Sequence, residues 1–204
     1  MLRQYMGDKK RMDNQHNTVT LYASQAQVVV DAVMKDGAAF SKAEYVEKKY
    51  GESAKVFLTA YRWFVSKLPR YVPKPEGAEF PYWAFMDQYL MEAGSASRIL
   101  TLSVPLDEVV LFDMYDWNKI MQMKYIGKNE ADERTFLEEL RMRGISGSDV
   151  MLSGFYPDLR DQTAQSWKRL FRHNDALKSG DLSGVGSVQA GLWCIKKEWI
   201  KEIR

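Results

Sequence analysis

The apolar positions of this chain change period several times after residue 17, and each change marks an expected element. Thr18-Val19-Thr20-Leu21-Tyr22 alternates with period two and is rich in β-branched and aromatic residues, which predicts a strand. Ser24 followed by Gln27 has capping-box spacing and opens a predicted helix through Val28, Val29, Ala32 and Val33, which Gly37 ends. Ser41 with Glu44 repeats the pattern and starts a second helix toward Tyr50, closed by Gly51. Between Glu52 and Leu68 the positions Val56, Phe57, Ala60, Tyr61, Phe64 and Leu68 return at helical spacing, with Lys55, Arg62 and Lys67 on the other side, until Pro69 stops the helix.

Pro69 to Pro81 is rich in proline and reads as a loop that delivers the aromatic run Phe80-Pro81-Tyr82-Trp83-Ala84-Phe85, of which Tyr82–Phe85 alternates as a short strand. Arg98–Val104 and Glu108–Phe112 read as strands parted by Pro105-Leu106-Asp107, giving a hairpin or a strand–turn–strand step. Asp113 or Asp116 caps a helix carrying Trp117, Ile120 and Met121, and Gly127 and Asn129 break the chain after it. Glu130–Arg143 has acids first and bases last, as a helix dipole favours. Gly144–Pro157 is turn-rich. A helix over Gln162–Phe171, a glycine-serine connector, a strand over Val188–Ile195 and a closing helix through Trp199 and Ile203 complete the pattern. Helices and short strands mix without regular β-α-β alternation, so the expected class is α+β, a small and mainly antiparallel sheet with flanking helices.

Composition narrows the chemistry. With 204 residues the chain suits a single α+β domain over 18–204, preceded by a flexible arm over 1–17. Lys and Arg number 29 against 27 Asp and Glu, interspersed, so nothing drives the whole surface toward a polyanion and nucleic acid is not an expected partner. The single cysteine, Cys194, lies in Leu192-Trp193-Cys194-Ile195 and reads as a buried apolar side chain, not a nucleophile. With only His16 and His173, no metal is expected. No apolar run approaches the roughly 20 residues that span a bilayer, so no membrane is implied and the expected compartment is the cytoplasm. Arg62, Arg98 and Arg160 are candidates to hold a phosphate or carboxylate.

Five blocks in order carry a resemblance: Tyr61-Arg62-Trp63-Phe64, Phe80-Pro81-Tyr82-Trp83-Ala84-Phe85, Val110-Leu111-Phe112-Asp113 before Trp117, Ser166-Trp167, and Val188-Gln189-Ala190-Gly191-Leu192-Trp193. Together they resemble a bacterial and phage family known as a domain of unknown function, over roughly residues 19–203. Phe85 replaces the tryptophan usual in the second block, and Leu21-Tyr22-Ala23-Ser24 departs from the pattern ahead of Gln25, which still matches.

The order of elements also resembles the ADP-ribosyltransferase fold. That likeness implies NAD as cofactor, with Tyr22, Gln25, Tyr82 and Trp83 in the binding cleft and Gln189 at the catalytic position, where the fold usually has a glutamate. Loss of nicotinamide leaves positive charge on the ribose, so the position calls for a carboxylate, and Gln189 offers only hydrogen bonds. The implied activity is ADP-ribosyl transfer to a macromolecule in bacterial–phage conflict. The alternative is a non-catalytic module that seizes a host or phage protein.

Overall fold

A computed structural model describes residues 12–13, 17–91 and 97–204, and its longest strands are two partners of equal length. β2 (Thr18–Ala26) pairs antiparallel with β5 (Ser97–Pro105) from Thr18↔Pro105 to Ala26↔Ser97. That ladder overrides the expected cap. Ser24 stays in the strand, and helix α1 (Gln27–Asp36) begins after Ala26 with no side-chain cap. Gln27 instead donates to Asp31 at 2.8 Å and accepts from Arg98 at 2.7 Å. Gly37 ends α1 as expected, at φ +84°, its N–H donating to the carbonyl of Val33.

The next helix is capped from a distance. After β3 (Ala38–Phe40), α2 (Ala43–Tyr50) starts without help from the Ser41 side chain, because the carboxylate of Glu79 accepts from the Ala43 N–H at 2.9 Å. The amphipathic stretch forms α3 (Ala54–Lys67), followed by a 3₁₀ turn at Leu68–Arg70 and a loop into β4 (Tyr82–Phe85). β6 (Val109–Asp113) follows β5 in sequence without pairing with it, so the connection is a strand–turn–strand step. Asp113 caps α4 (Met114–Met121), accepting from the Tyr115 N–H at 2.9 Å, and Asn129 caps α5 (Glu130–Arg143).

Two further expectations fail. The segment read as turns contains α6 (Gly147–Leu152), opened by a capping box between Ser146 and Asp149. The expected closing helix is a 3₁₀ turn, Lys197–Trp199, and then strand β9 (Ile200–Ile203). Trp199 and Ile203 lie four apart and mimic a helical face, but the outer edge of β5 takes the segment as a strand, pairing Leu100 with Ile203 and Thr101 with Glu202. Between these, α7 (Pro157–Ser166) runs into a 3₁₀ helix at Trp167–His173 and α8 (Asn174–Lys178), and the glycine-serine connector leads to β7 (Val188–Leu192) and β8 (Cys194–Lys196). In the stretch 1–17, β1 (Met12–Asp13) pairs with Val19 and Thr18 of β2; apart from these two residues and Asn17 that stretch lies outside the described residues.

The main sheet has the order β6-β7-β4-β2-β5-β9 with β1 beside β2, every pairing antiparallel, while β3 and β8 form a second, two-stranded sheet. This is the α+β class. One face of the main sheet presents Val19, Leu21, Leu100, Leu102 and Ala190 to Val30 and Val33 of α1 and to Leu177 of α8. The opposite face at the β4-β7-β6 end lies under α3, α4 and the 3₁₀ helix Trp167–His173. A third cluster, including Phe136, Leu140 and Val150, joins α5 to α6 and α7. No helix among the described residues is long and apolar enough to cross a membrane.

Phe64 of α3 is the hub of the second face. It is fully buried, with ring centroids 5.0 Å from Trp83, 5.4 Å from Trp117, and 5.6 Å from both Phe112 and Phe171. It reaches the sheet because Gly191 has no side chain: a Cβ there would lie 2.7 Å from Phe64 Cζ. Gly191→Ala therefore over-packs the core and is expected to cost about 1–3 kcal/mol in urea unfolding. Unchanged stability would show that α3 can retreat from the sheet freely.

Candidate functional site

A split in the main sheet builds the site. β2 is paired along its full nine residues to β5, and β4 along its full four residues to β7, yet the ladder between β2 and β4 is the single pair Tyr22↔Phe85. Past that pair the strands part company. β2 turns up into α1, while the chain ahead of β4 runs to the second sheet, where the Phe80 N–H donates to the Ser41 carbonyl at 3.2 Å. The same change of partner occurs next door: β7 pairs with β4, and after Trp193 the chain continues as β8, which pairs with β3 through Phe40↔Cys194.

The wedge between the parted strands is a cleft of about 920 Å³. Gln25 and Ala26 form one wall, Tyr82, Trp83 and Phe85 the other, and Tyr61 lies at its side. Trp83 is half-buried and held from behind, its centroid 4.6 Å from Trp117 and its indole N–H donating to the Tyr61 hydroxyl at 3.0 Å. Burial raises the Tyr61 phenol well above its ordinary value and pushes Tyr82 up to about 12, so both stay neutral. At the rim, Lys42 is tethered by the Gly77 carbonyl at 2.9 Å and by Glu79 at 3.2 Å. Among the described lining residues the acidic one is Asp36.

The five expected site residues divide. Gln25, Tyr82 and Trp83 line the cleft. Strand alternation sends Gln25 and Tyr82 to one face of the sheet and Tyr22, Trp83 and Gln189 to the other, and the parting of the strands opens the cleft to both faces. Tyr22 and Gln189 stand outside the lining. Tyr22, Phe85, Gln189 and Phe112 form one row across four strands, so Phe85 stands between Tyr22 and Gln189 and forms the cleft wall on that side. Gln189 is 4% exposed.

Other candidates have structural duties. Arg98 serves Gln27, Arg160 lies 3.9 Å from Asp161, and Asp113 caps α4. Cys194 is buried, as expected, which pushes its thiol up to about 11. Sequence reasoning missed Tyr61 and Lys42 as cleft residues. Tyr61 sits on the apolar stripe of α3 and reads as core; the available signal was its hydroxyl, which a wholly apolar stripe would not carry.

A family model described as a domain of unknown function, DUF3841, matches residues 20–201. No curated protein and no solved structure matches the chain.

Two measurements check this geometry. Tyr61→Phe removes the acceptor of the Trp83 indole together with the hydroxyl's bond to Tyr50 and is expected to lower stability by about 1 kcal/mol, discounted because Trp83 is only half-buried; no change would mean that neither bond contributes. Cys194 is the single cysteine, so a thiol reagent near pH 8 should leave the folded protein unmodified and label one thiol per chain in denaturant. Rapid labelling of the folded state would contradict its burial.

Proposed function

This chain belongs to the DUF3841 family, and we propose that it holds an NAD-class dinucleotide in the cleft between β2 and β4, as an ADP-ribosyltransferase-like protein directed at a macromolecule in bacterial–phage conflict. The observation that carries this reading is Trp83. Its N–H is already committed to Tyr61 and its back to Trp117, while it lines an open cleft and can stack a nicotinamide or adenine. Across the gap, the Gln25 amide can both donate to and accept from a carboxamide or a ribose hydroxyl. Lys48 brings positive charge to the lining, beside Lys42 in its pair with Glu79, where a pyrophosphate would lie. The volume falls within the ~300–1,000 Å³ of small-molecule sites.

Positive charge developing on the ribose calls for a carboxylate, and Gln189 is uncharged and lies behind Phe85. Asp36 is the acid within the described lining. The buried position of Gln189, outside the cleft lining, favours the second reading, a non-catalytic module that uses the same cleft to bind a host or phage protein.

Calorimetric titration with NAD is expected to show saturable binding that weakens about tenfold in Trp83→Ala, the size of a lost stacking contact. Gln25→Ala serves as a second variant that leaves the aromatic cluster intact. Release of nicotinamide above the uncatalysed rate, abolished by Asp36→Asn, would support the transferase; binding without release selects the non-catalytic module. Absence of binding at millimolar NAD removes the dinucleotide altogether.

A further inference from the structure

A second concave surface lies between α4, the loop ahead of α5, and the 3₁₀ helix Trp167–His173, with a volume of about 580 Å³. Four cationic side chains reach it, Lys119 from α4, Lys128 from the loop, Arg134 from the first turns of α5 and Arg172 from the 3₁₀ helix. We propose that this groove binds a phosphate group, either inorganic phosphate or the phosphate of a small monoester.

Arg172 is held at every nitrogen of its guanidinium. Each of its three guanidinium nitrogens has a fixed partner: Nη2 donates to Asp116 at 2.9 Å, Nη1 to the Gly127 carbonyl at 3.4 Å, and Nε to His173 Nε2 at 3.0 Å. Its side chain nevertheless remains 38% exposed and lines the groove, so the remaining N–H groups on Nη1 and Nη2 are held in place at an open surface. Lys119 is fixed likewise, at 2.7 Å from Glu133 and 3.9 Å from Asp116. The Asp116 side chain is 5% exposed, and placing a carboxylate under two half-exposed cations costs desolvation that a surface pair would avoid. The arrangement spends stability to aim two cations, and preorganised cations are what recognise a phosphate.

Lys128 and Arg134 complete the cationic lining. Neither lies within salt-bridge distance of a carboxylate among the described residues, and the Asp132 carboxylate, which accepts from the Lys128 N–H at 2.9 Å and is held below its ordinary value partly by the Lys128 charge, lies outside the lining. The loop brings Lys128 close because Gly127 has no side chain: a Cβ would fall 2.5 Å from the Asn129 carbonyl and 2.6 Å from Glu133 Cβ. Of the two acids in the lining, Glu133 is neutralised by Lys119 and also accepts from the Gly127 N–H at 3.1 Å, and Glu130 is the one left to oppose an anion. Two free cations against one free acid, beside a fixed guanidinium, favour a compact dianion.

The test is titration of the full chain with inorganic phosphate and, separately, with adenosine monophosphate, followed by amide NMR shifts. Saturable shifts in Gly127–Arg134 and at Arg172, weakened about tenfold or more in Lys128→Gln/Arg134→Gln, are expected. The double variant replaces exposed side chains and should melt with the wild type when no ligand is present. Equal affinity for the two ligands assigns the site to the phosphate alone, and tighter monophosphate assigns it to a monoester. No saturable binding at about 10 mM of either ligand, which corresponds to a free energy near 3 kcal/mol, overturns the site. So does binding that the double variant leaves unchanged, or binding of an oligonucleotide without binding of phosphate.

Discussion

The pair Tyr22↔Phe85 is the hinge on which the described structure turns, because it is the one rung joining β2 to β4 in the middle of the main sheet. Each strand spends its other edge fully, β2 on β5 and β4 on β7, so neither can close the gap by shifting register without flipping its side chains to the wrong face. Val19, Leu21 and Ala23 must stay under α1, and Trp83 must stay with Phe64 and Trp117. The cleft is therefore a consequence of two well-determined ladders that meet at one point. A wedge of this origin is pre-formed, and a ligand that enters it meets walls whose positions are already fixed by packing.

Helix α4 ties the two concave surfaces together. Trp117 backs the indole of Trp83 in the cleft, and its neighbour Asp116 anchors Arg172 and Lys119 in the cationic groove. Burial raises the Asp116 carboxyl above its ordinary value despite these cations, so its ionised form is held at a cost. The sign follows: the folded state takes up the proton more readily than the unfolded chain, and the stability Asp116 contributes is greatest at acid pH and falls as pH rises through its folded value.

Much of the fold was legible in local pattern. The period-two run at Thr18–Tyr22, the stripe through Phe64, the charge order of Glu130–Arg143 and the glycine after α1 each act over a few residues and dictated their elements. What failed depended on distant partners. Ser24 has the right spacing for a cap, but β5, far away in sequence, keeps it in a strand; Trp199 and Ile203 have helical spacing, but the edge of β5 makes them part of a sheet. The site was legible to the same degree. Gln25, Tyr82 and Trp83, named through the resemblance, line the cleft, whereas the place of Gln189 depends on which side of Phe85 the sheet splits, and no local pattern carries that information.

The central claim is that the parted edges of β2 and β4 are the walls of a dinucleotide site, and hydrogen exchange read by mass spectrometry addresses both edges at once. On adding NAD, slower exchange is predicted in peptides covering Ser24–Val29 and Tyr82–Phe85, with the β5 and β7 ladders unchanged. Equal exchange in these peptides with and without the ligand, or protection confined to segments remote from the split, would contradict it.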